Sequence, residues 1–308
     1  MTVAGTLRAH QGADASRNAR DALAELLADV SMEATPRQLA AAGDLSARFP
    51  RGTEVYLPFL PGSTFTDSVE SCRRLDAAGM RPVPHIAARA IADPAELDAG
   101  LAQFVAAGVD SVLLIAGDLA QPVGCFDNTL DVLDSGLLVR HGIHRVGVAG
   151  HPEGHPIATS DALLAALRRK VAYARATGTE MWLVTQFIFA ADAFPAWEAG
   201  LRDAGIDLPI RIGLPGPASI RALAAFALQC GVAVSARVLA RRPGAARLLT
   251  GWTADETLGA LAAHWAATPN SGLAGIHIYP FGGLAPALAW LERMRTGTAA
   301  IDADRADD

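Results

Sequence analysis

DSVLLIAGDLA, residues 110 to 120, is an apolar run, then a glycine, then a lone carboxylate. The run Val112–Ile115 suits a strand buried on both faces, as a parallel sheet under helices requires. Gly117 lets the backbone turn, and Asp118 emerges at the strand's C-terminal end. In a barrel of parallel strands that rim carries the chemistry. A carboxylate after a glycine is also a common helix cap or turn residue, so both readings of Asp118 stay open on this stretch alone.

Working outward, strand-like runs alternate with helical ones from Asp29 to Leu291. The candidate strands are Val30–Ala34, Glu54–Leu57, Arg81–Ile86, Asp110–Ile115, His144–Ala149, Glu180–Phe187, Pro209–Gly213 and Gly275–Tyr279. Between them the spacing predicts helices over Pro36–Arg48, Asp67–Ala78, Pro94–Ala107, Thr129–Arg140, Ser160–Ala176, Phe194–Ala204 and Ala218–Cys230. The stretch Val232–Ala267 reads as all helical, and Pro286–Met294 as a last helix. Asp93 before Pro94 is an N-cap followed by proline at the first helical position. About eight strand–helix units over ~260 residues are the size of a (β/α)8 barrel. A doubly wound sheet has the same alternation. The barrel is preferred because no GxGxxG phosphate turn follows the first strand, and because polar residues end the first, third, fourth, fifth and sixth strands, as a closed ring would place them. The expected organisation is a polar segment with a leading helix over 1–28, a single α/β TIM barrel domain over 29–295, and a disordered acidic tail over 296–308.

Composition narrows the class. The 308 residues are 51% hydrophobic with mean hydropathy +0.24, which suits a large buried core. No run is long and apolar enough for a membrane span, and the N-terminus lacks the apolar centre of a secretion signal. Net charge is −6 with no basic stripe, which argues against nucleic acid as a partner. Three scattered cysteines fit a reducing compartment and show no zinc spacing. The expectation is a cytoplasmic enzyme or binder of small molecules. The alanine-rich helix Ala218–Cys230 leaves a homo-oligomer open.

Four further strand ends offer chemistry. Glu33 in VSMEATP stands beside Met32 on an apolar rim, where burial should raise its pKa as a general acid needs; a solvated loop glutamate or a helix cap is the plainer reading. His85 in PVPHIAAR is either a core histidine or a rim group facing a phosphate, and Arg89 four residues on either shares that rim or lies on the surface. His151, Glu153 and His155 in GVAGHPEGHPIA invite a metal, but Pro152, Gly154 and Pro156 prevent one helical face from presenting them, so no metal is assigned. A rigid loop offering two imidazoles to a ligand fits better. Gln186 in LVTQFIF carries a donor and an acceptor that can read a heterocycle edge. The neighbouring Phe189 reads as either core or a stacking surface.

In order and separation, SMEATP, VPHIAAR, IAGDLA, AGHPEGHPIA and VTQFIF form a combination that resembles the methylenetetrahydrofolate reductase family, in the short bacterial form made of the catalytic barrel alone. The resemblance covers roughly Val30 to Met294. It implies a (β/α)8 barrel that holds FAD at its C-terminal rim and passes hydride from NADH or NADPH, through the flavin, to 5,10-methylenetetrahydrofolate, giving 5-methyltetrahydrofolate. Carried over by motif, Glu33 is the general acid, Asp118 the carboxylate near flavin and pterin, and Gln186 the amide on the pterin, with Phe189 and Tyr279 as further substrate contacts. His85, Gly117, His151, His155 and Lys170 fall at flavin contacts. The family usually has an arginine before the glycine of its GDL motif, where this chain has Ala116. Arg89 or His151 is the expected replacement for that charge at the diphosphate. The LNR-like segment after the last strand is Pro280-Phe281-Gly282-Gly283. Two other readings remain: a flavin-independent one-carbon enzyme that transfers hydride directly from nicotinamide or moves methyl groups on tetrahydrofolate, and a folate-binding barrel without turnover.

Overall fold

Eight parallel strands close into a barrel in chain order: β1 (Val30–Glu33), β2 (Glu54–Leu57), β3 (Arg81–Ala87), β4 (Ser111–Ile115), β5 (Arg145–Gly150), β6 (Glu180–Phe187), β7 (Ile210–Pro215) and β8 (Leu273–Tyr279). The structure is a computed structural model and describes residues 19–60, 62–229 and 251–297. Helices fill the intervals: α1 (Ala19–Ala28), α2 (Pro36–Ala41), α3 (Phe65–Ala77), α4 (Pro94–Ala106), α5 (Thr129–Asp134), α6 (Leu137–Arg140), α7 (Ser160–Thr177), α8 (Phe194–Asp203), α9 (Ile220–Gln229), α10 (Asp255–Ala267) and α11 (Leu284–Thr296). The (β/α)8 barrel expected from the sequence is the fold. None of the described helices is long and apolar enough to cross a membrane.

Local chemistry sets the ends of these elements. Asp93 caps α4 by accepting the Glu96 N–H at 2.8 Å, with Pro94 inside the first turn. Thr35 and Gln38 form a capping box on α2. That helix stops at Ala41 rather than running to Arg48. Gly43 adopts φ +71°, and Asp44 then accepts the Ser46 N–H at 3.0 Å, so the chain turns where amphipathic spacing alone predicted more helix. The helix predicted over 129–140 is two helices, because Gly136 at φ +71° breaks it and the Ser135 hydroxyl takes the Leu137 N–H at 3.3 Å. Of the long helix expected over 232–267, Trp252 instead pairs with Ala218 in an isolated antiparallel bridge, and α10 begins at Asp255. Residues 232–250 lie outside the described residues, as do the polar N-terminal residues 1–18 and the acidic tail from 298.

The described residues sort into two compact units. One comprises Ser31–Gly150 and Ala158–Val184. In it, strand register places Glu54, Tyr56, Arg81, Val83, His85, Ser111, Leu113 and Arg145 on one face, with Glu33 level with Tyr56. This face points into the barrel, where successive layers of side chains stack. The lower layer is ionic. Arg145 reaches Glu54 at 3.3 Å, Glu180 at 3.1 Å and the Ser111 hydroxyl at 3.0 Å, and its guanidinium lies 5.6 Å from the Trp182 ring. Arg81 bridges Glu54 and Asp110. Above it Trp182 donates to the Tyr56 hydroxyl at 3.0 Å. Residue 147 is glycine because a Cβ there would stand 2.9 Å from the Trp182 ring.

The second unit holds the remaining described residues, including β7 and β8. Arg211, almost fully buried, pairs with the Asp29 carboxylate at 2.9 Å and its carbonyl at 3.2 Å. Glu198 gathers the Ser271 hydroxyl at 2.7 Å, the Gly272 N–H at 2.6 Å and the His264 ring at 2.8 Å, joining α8 and α10 to the entry of β8.

Candidate active site

In the first unit the upper layer carries the groups singled out from the sequence. Glu33 ends β1, and its carboxylate lies 3.6 Å from His85 Nε2 on β3. The Glu33 side chain is 17% exposed, and burial raises its pKa, with the His85 ring opposing more weakly. This is the environment expected from its apolar neighbours, and it favours the protonated form that a general acid needs. His85 is itself buried and meets the Tyr56 ring edge-on at 6.2 Å.

Asp118 lies exposed on the loop after β4 and makes no hydrogen bond or ion pair among the described residues. Asp118 does not cap the next helix, since α5 is capped by Asn128, whose side chain accepts the Leu130 N–H at 2.8 Å; it is a loop residue, as the turn reading allowed. Gly117 takes φ +89°, the left-handed region where glycine is at home, and this turns the loop off the strand.

Arg89 commits its guanidinium to that same loop: Nε donates to the Asp127 carbonyl at 2.8 Å, Nη1 to the Leu119 carbonyl at 3.1 Å, and Nη2 pairs with the Asp127 carboxylate at 3.1 Å. Sequence reading did not single out Asp127, and no motif marks it.

Lys170, on α7, is 8% exposed and has no hydrogen-bond or ionic partner among the described residues. Burial pulls its pKa down to about 8. A buried unpaired ammonium costs stability, so Lys170→Met should raise the unfolding free energy at pH 7 by about 2 kcal/mol. Because the folded amine loses its proton near 8 and the unfolded one near 10.5, the advantage over wild type should shrink as pH rises through that window. Urea unfolding at pH 7 and pH 10 checks both points.

The second unit holds the other sequence-selected residues. His151 and His155 meet edge to face at 4.9 Å, and His155 Nδ1 accepts the Ile157 N–H at 3.2 Å. Burial lowers the His155 pKa, which keeps that ring neutral. No cluster of three His, Cys, Asp or Glu side chains suited to a metal occurs among the described residues. Gln186 is half-buried near the end of β6. Tyr279 ends β8 and donates its hydroxyl to the Thr185 carbonyl at 2.9 Å. Phe189 is 1% exposed and packs edge-on against Phe187 and Trp252, so of its two sequence readings the ring is core. Phe281 was passed over as a side chain although its PFGG segment stood out. It stacks on Phe226 at 4.2 Å and on Tyr279 at 5.8 Å.

The family model described as methylenetetrahydrofolate reductase matches residues 60–246. Among solved structures, an uncharacterized protein from Clostridium thermocellum that binds two copies of 5-methyl-5,6,7,8-tetrahydrofolic acid superposes with a TM-score of 0.56. It is 10% identical, over 87% of this chain and 94% of that one. Identity at that level shows a common fold. A 2,3-dimethylmalate lyase of the PEP mutase/isocitrate lyase superfamily gives 0.49 at 15% identity over 93% and 86% of the two chains, and is too distant to bear on the site.

Proposed function

The chain belongs to the methylenetetrahydrofolate reductase family, and on that premise we propose that it reduces 5,10-methylenetetrahydrofolate to 5-methyltetrahydrofolate with hydride from NADH or NADPH. The observation that carries this reading is Glu33, a buried carboxyl at the end of β1, 3.6 Å from His85, whose pKa burial raises toward that of a proton donor. Its proton goes to N10 as the bond between N10 and the bridging methylene breaks. The N5 iminium that results is cationic, and the carboxylate of Asp118 offsets that charge. Hydride then adds to the methylene carbon and the nicotinamide is oxidised. The family resemblance assigns Gln186 to the amide that reads the pterin and Tyr279 to a further substrate contact. The folate ligand of the Clostridium thermocellum protein is in keeping with this substrate class.

FAD is the cofactor that the resemblance implies, and the residues present do not fit a tightly held diphosphate. The side chain at 116 is a methyl group, and the Arg89 guanidinium is bound to its own loop. A resident cofactor held at nanomolar strength requires about 12 kcal/mol of binding, whereas a co-substrate held at millimolar strength requires about 4. The available groups suit the second, so the hydride step above runs directly from nicotinamide to the folate.

Anaerobic assay of the purified chain tests this. The expected result is no flavin band near ~450 nm, NADH or NADPH oxidation matched by 5-methyltetrahydrofolate, and no stimulation by added FAD. Flavin that co-purifies, and whose removal abolishes turnover, would restore the flavin route. No turnover with either nicotinamide would leave a folate-binding barrel.

A further inference from the structure

We propose that Arg89 is a positioning residue that latches the loop from Ala116 to Asn128, so that Asp118 is held where the iminium forms. This rests on the function proposed above. Residue 89 makes five bonds to the loop. At its near end the Arg89 N–H donates to the Ala116 carbonyl at 2.9 Å, and Nη1 donates to the Leu119 carbonyl at 3.1 Å, so the backbone is gripped on both sides of Gly117 and Asp118. At its far end the Arg89 carbonyl accepts the Val123 N–H at 2.8 Å, while Nε and Nη2 take the carbonyl and carboxylate of Asp127.

A second contact closes the loop onto the same turn: a Cβ on Gly124 would come within 1.7 Å of the Ala92 carbonyl oxygen, so the two backbones lie directly against each other. Asp118 has no partner of its own, so its position is set by the backbone that Arg89 holds.

The arrangement is poorly explained as stabilisation. Arg89 is 25% exposed and Asp127 more so, and such a surface pair contributes about 0 to 1 kcal/mol. Its value lies in geometry. The planar guanidinium sends donors in three fixed directions, which a lysine ammonium cannot reproduce. Displacing a catalytic group by about 1 Å costs on the order of 100-fold in rate.

The test is a double-mutant cycle on the full chain, with methylenetetrahydrofolate and the preferred nicotinamide. Arg89→Ala should lower kcat about 10- to 100-fold with little change in the KM for nicotinamide, and Arg89→Lys should recover little of the loss. In an Asp118→Asn background the same Arg89→Ala change should cost less than about threefold, because the group it positions is already disabled. Arg89→Ala within about twofold of wild type, or a penalty that persists undiminished in the Asp118→Asn background, would overturn the latch. If Arg89→Ala does not fold, Asp127→Asn removes one clamp point and should show a smaller kcat loss with the same dependence on Asp118; a loss independent of Asp118 overturns the latch equally. A wild-type chain inactive with both nicotinamides overturns the proposed function, and the positioning role with it. Activity in wild type with no effect at Arg89 overturns the latch alone.

Discussion

Glu33→Gln is expected to lose about 10²- to 10⁴-fold in kcat, the range for removing a general acid, and to be more stable than wild type at neutral pH. The two effects have one cause. Burial raises the folded-state pKa of Glu33 above the ordinary value of 4.5. Between 4.5 and that higher value the folded chain holds a proton that the unfolded chain has released. Wild-type stability from this group is therefore full below about 4.5 and declines as pH rises through the folded pKa. Glutamine keeps the shape and carries no charge, so the decline disappears. Urea unfolding of both proteins at pH 5 and pH 8 should show the gap opening at the higher pH. Wild-type kcat should fall over the same range as the acid ionises. Full turnover in Glu33→Gln, or a stability difference that ignores pH, would remove Glu33 from the role of acid.

The second large effect is on stability and lies at the opposite end of the strands. Arg145→Met should cost about 3 kcal/mol, because the buried Glu54 carboxylate loses the closer of its two arginines, out of a total on the order of 5–15. Glu54 is 5% exposed, and without Arg145 its nearest remaining cation is Arg81 at 3.7 Å. Arg145 also covers the Trp182 ring, so packing is lost along with charge. The companion Arg145→Met/Glu54→Leu should recover much of the loss, because an apolar pair of similar volume costs no desolvation. Equal destabilisation of the single and double variants would show that the cost does not arise at Glu54. Turnover of the folded fraction should be unchanged, since the pair lies at the N-terminal ends of β2 and β5.

These residues also mark what a one-dimensional reading reaches. The alternation of strands and helices, the Asp93 cap and the raised acid at Glu33 depend on local sequence, and all were legible there. The strand face shared by Glu33 and His85 follows from a side-chain period of two plus register. The Arg89–Asp127 pairing was not legible, because 38 residues separate the partners and two of the guanidinium's acceptors are backbone carbonyls, which every residue possesses. The same limit hid the early stop of α2. Helical spacing continues past Ala41, and the break comes from the left-handed turn at Gly43, whose sign the residue permits but does not compel. Phe281 was visible as a letter, but its stacking on Phe226 depends on where α9 lies.

The close approach at Gly124 sets a rule for engineering the rim. Only glycine passes the Ala92 oxygen, and the Val123 N–H is registered on the Arg89 carbonyl, so the reading frame of this loop is pinned at both ends. Substitutions at residues 119–122 alter the mouth while leaving that frame intact. An insertion or deletion in the same interval would carry a side chain into the place of Gly124. Libraries meant to retarget this rim should therefore vary side-chain identity there at constant length.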